Sequence, residues 1–216
     1  MRFLLPLLAF LLTSNPAVAG LKCLCIKCLW GTHDNLYVPQ SAMVPTLRPN
    51  QCFTSRFLHG DISDVTHGTI ITFFGRPGKT LFFFRVIGMP GDTVQMRNGK
   101  IWLNGQEVKQ TREADDIVKM EAFGPLKLFP RCNSPTRLGG RCIRYKYRET
   151  LPNGVSYSVL DIGSTPMDET KEFLVPEGTV FVLGDNRDNA IDSRYSRFYG
   201  GRGFVAFEDI QGIVER

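Results

Sequence analysis

The stretch Gly184–Arg194, "GDNRDNAIDSR", packs three aspartates and two arginines into eleven residues. It directly follows "GTVFVL", whose β-branched and aromatic side chains read as a short buried strand, so the charges fall in a polar turn at that strand's end. Working outward, "HGTIITFF" (His67 to Phe74) and "KTLFFFRVIG" (Lys79 to Gly88) are further strand-like runs bounded by Gly and Pro. "DTVQMRNGKIWLNGQEV" carries Asn98-Gly99 and Asn104-Gly105, two-residue hairpin signals between alternating segments. "LPNGVSYSVL" repeats the device at Asn153-Gly154. No stretch of the body holds a sustained helical period, so the chain is mostly β.

With 216 residues and 43% hydrophobic content, the chain can bury a substantial core in one domain with an elaborated insert. Its formal charge of +5 comes from scattered Lys and Arg, which argues against a nucleic-acid footprint and is compatible with a membrane surface. No cofactor is implied.

The amino terminus reads as an export signal. Arg2 precedes the apolar run "FLLPLLAFLL", and Ala17 and Ala19 give an A-x-A pattern with cleavage after Ala19. The competing reading is an uncleaved anchor. The apolar run is roughly half the ~20 residues that a spanning helix needs, and Ser14, Asn15 and Pro16 interrupt it. Either way the body faces an oxidising, extracytoplasmic compartment. Six cysteines fit that placement. Cys132 and Cys142 flank a polar loop, and a disulfide closing it is expected. Cys23, Cys25 and Cys28 form a C-x-C-x-x-C cluster with no His/Cys partners at zinc spacing, so disulfides or lipid-proximal thiols are expected rather than a metal. Cys52 is either a buried free thiol or the partner of one of those three.

Four stretches in order carry a resemblance: "SAMVPTL" at Ser41–Leu47, "HGTIITF" at His67–Phe73, "FRVIGMPGD" at Phe84–Asp92, and the opening "GDNRDNAIDSR". Together they resemble the boxes of type I signal peptidases, membrane-bound Ser/Lys endopeptidases that remove signal peptides. The last box matches the family pattern GDNRDNSxDSR at every fixed position but one. The resemblance implies a signal-peptidase-like β-sheet catalytic core over 37–110 and 168–216, with an inserted disulfide-bearing β subdomain over 111–167. A signal segment or anchor over 1–19 and a Cys-containing linker over 20–36 precede them. It also implies a location at the periplasmic face of the inner membrane.

In that family a Ser nucleophile is deprotonated by a neutral Lys, which an apolar surround keeps uncharged near neutral pH. The resemblance places the nucleophile at Ala42, before Met43, and the base at Phe84, before Arg85. It places a Ser that hydrogen-bonds the base at Ala190, and an oxyanion-hole Ser at Gln40. None of the four residue types is present. The scaffold residues Arg85, Asp185, Arg187, Asp188, Asp192, Ser193 and Arg194 all match, and Asp192, Arg194 and Arg85 are expected to pair together and buttress the sheet.

A slip of one residue would make Ser41 the nucleophile, but a side chain one position away turns to another face, and Phe84 supplies no base. Lys79 is five residues too early along an extended strand. His33, His59 and His67 read as surface or locally satisfied residues. An isolated knock-out would explain Ala42 but not Phe84 and Ala190, since a buried Lys without its serines only costs free energy.

Family members bind the signal peptide as an extended strand, with main-chain hydrogen bonds for affinity and pockets for specificity. Val38, Pro39, Met43 and Leu47 on one side, with Phe82, Phe83 and Phe84 on the other, are the expected groove. The leading expectation is therefore a catalytically silent homologue that binds signal peptides or another extended segment and modulates an active paralogue. Two others are a working signal peptidase or pilin- or conjugation-type processing endopeptidase with a displaced nucleophile, and a scaffold without peptide binding.

Overall fold

The structure, a computed structural model, describes residues 25–76 and 80–215. The segment 1–19 with its expected cleavage after Ala19, Cys23 and Lys79 all lie outside those residues. The described chain is built from short antiparallel strands: β1 (His33–Tyr37), β2 (Cys52–Phe57), β3 (Ile70–Gly75), β4 (Thr80–Gly88), β5 (Thr93–Arg97), β6 (Lys100–Leu103), β7 (Gln106–Glu107), β8 (Lys109–Arg112), β9 (Asp116–Lys119), β10 (Arg141–Thr150), β11 (Ser156–Asp161), β12 (Phe173–Leu174), β13 (Thr179–Leu183), β14 (Val205–Ala206) and β15 (Ile210–Glu215). Its described helices are single 3₁₀ turns of three or four residues. The mostly-β reading therefore holds.

A seven-stranded sheet in the order β1-β2-β15-β3-β4-β13-β14 forms the body. β4 lies near its centre and is buried on both faces, which is why "FFFRVIG" reads as a continuous apolar run rather than an alternating one. Phe84 and Val86 join one core cluster with Met43, Leu47, Ile71 and Phe73. Ile87 joins the other, with Val94, Ile101, Tyr157 and Phe181. The sheet β12-β5-β6-β7 supplies much of that second cluster. A third sheet, β11-β10-β8 with β9 also on β10, spans Lys109–Asp161.

Asn98-Gly99 and Asn104-Gly105 are two-residue turns between paired Arg97 and Lys100 and paired Leu103 and Gln106. All four residues have positive φ, between 49° and 75°, matching the right-handed strand twist. Asn153-Gly154 departs from expectation. Thr150 pairs with Ser156, so the loop has five residues, with a turn closed by Gly154 N–H to the Leu151 carbonyl at 2.9 Å. Pro152 lies inside that loop and cannot donate to the ladder, which displaces the turn from the hairpin tip. His33 opens β1 and pairs with Arg56.

The disulfide Cys132–Cys142 is present, closing the expected loop. Cys25 and Cys28 pair with each other, and Cys52 is disulfide-bonded, which removes the free-thiol alternative. Among the described residues no helix is long and apolar enough to cross a membrane.

Candidate functional site

After β13 the chain turns at Gly184 and throws its charges back into the body. Arg85 does not pair with Asp192 or Arg194. Its Nε and Nη2 hold Asp185 at 2.8 and 2.7 Å, and its Nη1 donates to the Gly68 carbonyl at 2.7 Å. Burial works against the Arg85 charge, and Asp185 outweighs it, so the guanidinium is held above its ordinary value. Asp192 and Arg194 form their own two-pronged pair at 2.9 Å, and Asp192 also takes the Gly184 N–H at 3.0 Å. The expected three-residue buttress is thus two separate pairs. Asp192 and Arg194, two residues apart on one turn, close on each other instead of reaching across the sheet to Arg85.

Arg187 points the other way, into the third sheet. Its Nη1 and Nη2 grip Glu149 at 2.6 and 2.7 Å. Asp188 accepts the Ile162 N–H at 2.9 Å and the Thr165 hydroxyl at 3.0 Å. Ser193 Oγ accepts the Val182 N–H at 2.9 Å. Sequence reading missed Glu149, whose one signal is a carboxylate at a buried position of β10.

Asn186 pins the facing turn, donating through Nδ2 to the Ser41 carbonyl at 2.9 Å and through its N–H to the Ala42 carbonyl at 3.0 Å. Four positions therefore converge. A β-carbon on Gly184 would collide with Ala190 Cβ, and would stand 2.7 Å from the Ala42 carbonyl oxygen and 3.3 Å from Phe84 Cε1. Ala42, Phe84 and Ala190, three of the four singled-out positions, thus meet around one glycine. All three are buried, so the locus is apolar. Gln40 lines the cleft outside it.

That cleft, of about 310 Å³, has Ala42, Phe82, Phe84 and Ala190 along it and Ile191, Tyr195 and Arg202 on its rim. It borders an open sheet edge. β13 pairs with β4 only between Arg85 and Gly88, so Thr80–Phe84 is bonded to β3 on one side and to no described strand on the other. The expected groove residues divide. Phe82 and Phe84 face the cleft, and Pro39 is half-buried and not among its lining residues. Val38, Met43, Leu47 and Phe83 are instead core residues that do not line this cleft, with Phe83 edge-on to Phe53 at 5.2 Å. Residues 41–47 form a turn that buries Met43 and Leu47 in the core while the buried Ala42 lines the cleft.

Ser41 is buried and faces a separate hollow with Val44, Arg48 and Phe123. Its hydroxyl is hydrogen-bonded by Asn189 Nδ2. The histidines lie elsewhere: His67 on Asp92 at 2.6 Å, His33 on Glu215 at 3.1 Å, and His59 against the Phe57 ring. Among the described residues no set of His, Cys, Asp and Glu side chains is placed to hold a metal.

Residues 17–216 match the family described as "Signal peptidase, peptidase S26". The chain belongs to this signal peptidase family. It is 35% identical over 153 residues to a signal peptidase I of Rickettsia prowazekii, covering 66% of this chain and 47% of that protein. To a signal peptidase I of Rickettsia typhi it is 32% identical over 159 residues, covering 68% and 50%. The chain thus spans about half the length of these curated relatives. A crystal structure of a signal peptidase I from Enterococcus faecalis matches 70% of this chain and 97% of its own, at 21% identity and a TM-score of 0.36. Within a signal peptidase frame, the locus around Gly184 holds neither a hydroxyl at 42 or 190 nor an amine at 84.

Proposed function

We propose that this chain is a catalytically silent signal peptidase homologue that binds an extended peptide along the open edge of β4. One observation carries the reading: Phe84, Ala42 and Ala190 close over Gly184 as an apolar contact, directly beside a strand edge with free main-chain groups. A hydroxyl is a weak nucleophile without a base in hydrogen-bond reach, and this locus supplies neither. An unpaired strand edge next to a cleft is the setting for strand addition, where main-chain bonds give affinity. The bound segment is a signal peptide or a similar extended chain, presented on the periplasmic face of the inner membrane. The disulfides Cys25–Cys28 and Cys132–Cys142 support an extracytoplasmic placement. An active paralogue is the partner whose peptide supply such a binder modulates.

Titrating a fluorescent peptide with an A-x-A signal into the full chain tests this. Saturable binding with the peptide intact by mass spectrometry is expected, and Ile191→Asp on the exposed rim weakens it at least about tenfold with an unchanged melting temperature. No binding, or binding indifferent to Ile191→Asp, contradicts the groove. A displaced nucleophile is disfavoured by Ser41, whose hydroxyl is buried and already bonded to the Asn189 amide.

A further inference from the structure

The four buried arginines among the described residues follow one rule that the half-buried Arg202 breaks. Arg85, Arg144, Arg187 and Arg194 each hold a carboxylate: Asp185, Asp116, Glu149 and Asp192. Arg202 does not. Its Nη2 donates to the Gly200 carbonyl at 2.5 Å, its Nε is buried with no partner, and no described carboxylate pairs with it. The guanidinium lies over the Phe82 ring at 4.0 Å, with Nη1 just above the Gly75 backbone, 2.9 Å from where a β-carbon would sit.

The position is built rather than incidental. The strap from Tyr195 to Phe204 is tied down by Arg202 N–H to the Asp192 carbonyl at 3.2 Å and Gly203 N–H to the Tyr195 carbonyl at 3.1 Å. Gly201 lies so close under Tyr195 that no side chain fits there. The nearby acids are already committed: Asp209 and Glu208 to Arg76, and both Asp188 oxygens to Ile162 and Thr165. Arg131, across the cleft, adds a second cation. Burial, and then the Arg197 charge, hold Arg202 below the ordinary guanidinium value, the reverse of the carboxylate-paired Arg85 and Arg187. A guanidinium left half-desolvated gains most from a charge-assisted bond to an incoming anion.

We propose that Arg202 is the anion-recognising residue of the cleft, so that the segment bound along β4 carries a carboxylate that completes the pair. The inference rests on the peptide-binding reading above. Phe82 and Phe84 share a face two residues apart, about 7 Å along the strand. The carboxylate therefore falls about two residues from the one that faces Phe84. It is either an acidic side chain within the segment or the α-carboxylate of a chain ending there.

Three fluorescent probes that share an A-x-A core, titrated into the full chain, separate these sources. The first has Asp two residues from the last Ala and a C-terminal amide. The second has Asn and an amide, and the third Asn and a free C-terminal carboxylate. The first or the third is expected to bind about tenfold tighter than the second, naming the source. In Arg202→Gln that preference falls to within about twofold, and Arg202→Lys keeps part of it. Should Arg202→Gln fail to fold, raising salt to about 1 M must shrink the preference in the native chain. Equal binding of all three overturns the role of Arg202 while leaving the groove in place, as does a preference that survives Arg202→Gln. Absence of binding by any probe removes the groove reading and this inference with it.

Discussion

Arg187 and Glu149, 38 residues apart, form a two-pronged ion pair at 2.6 and 2.7 Å with both side chains almost wholly excluded from solvent. The pair bolts the charged turn after β13 to the third sheet. Burial works against the Arg187 charge, and Glu149 outweighs it and holds the guanidinium above its ordinary value. Glu149→Gln is expected to cost about 3–5 kcal/mol in urea unfolding, because it strands a buried cation. The double variant Glu149→Leu, Arg187→Met loses much less, since it removes both charges together.

Phe84→Lys alone is expected to destabilise by about 3–5 kcal/mol, measured the same way. It deletes a ring packed near Phe73, with centroids 6.1 Å apart, and buries an amine among Ala42 and Ala190 with no acceptor hydroxyl. Adding Ala42→Ser and Ala190→Ser recovers part of the loss by giving the amine partners.

Asp92 sets an acid limit. Burial pushes its carboxyl up, but the Asn104 amide, the Met89 N–H and His67 outweigh burial and hold it below the ordinary value of 3.8. A carboxyl depressed in the folded state stabilises above its unfolded value, and the contribution is lost as pH falls through the folded one. Asp92→Asn is therefore less stable at neutral pH. It also loses less stability than the native chain between about pH 5 and pH 3, which circular dichroism melts at each pH would show.

Cys132→Ser with Cys142→Ser opens a short loop, with a sequence separation of 10 between the paired residues. A loss of about 2–3 kcal/mol in reversible unfolding is expected.

The strands were legible in the sequence because local rules set them. Asn98-Gly99 and Asn104-Gly105 take left-handed turns that few other residues tolerate, and "FFFRVIG" announces a strand buried on both faces. The convergence of Ala42, Phe84 and Ala190 was visible only through the order of the boxes, since no local rule brings residues so far apart around Gly184. Long-range pairing escaped entirely. Nothing near Glu149 names Arg187 as its partner, and nothing near Arg85 favours Asp185 over Asp192. The groove was half legible for a related reason. Apolar composition fits a core and a peptide pocket equally, and only the turn at 41–47 sends Met43 and Leu47 into the core and leaves Ala42 at the cleft. Arg202 carried no signal at all, because what marks it is a buried Nε without a partner and no carboxylate beside it in space.

The deciding measurement is a cleavage assay on a preprotein with an A-x-A signal, comparing the native full chain with the triple variant Ala42→Ser, Phe84→Lys, Ala190→Ser. The native chain is expected to leave the preprotein intact while the triple variant cuts after the A-x-A. Cleavage by the native chain at that site would contradict the account and turn the search to Ser41 and whatever base serves it.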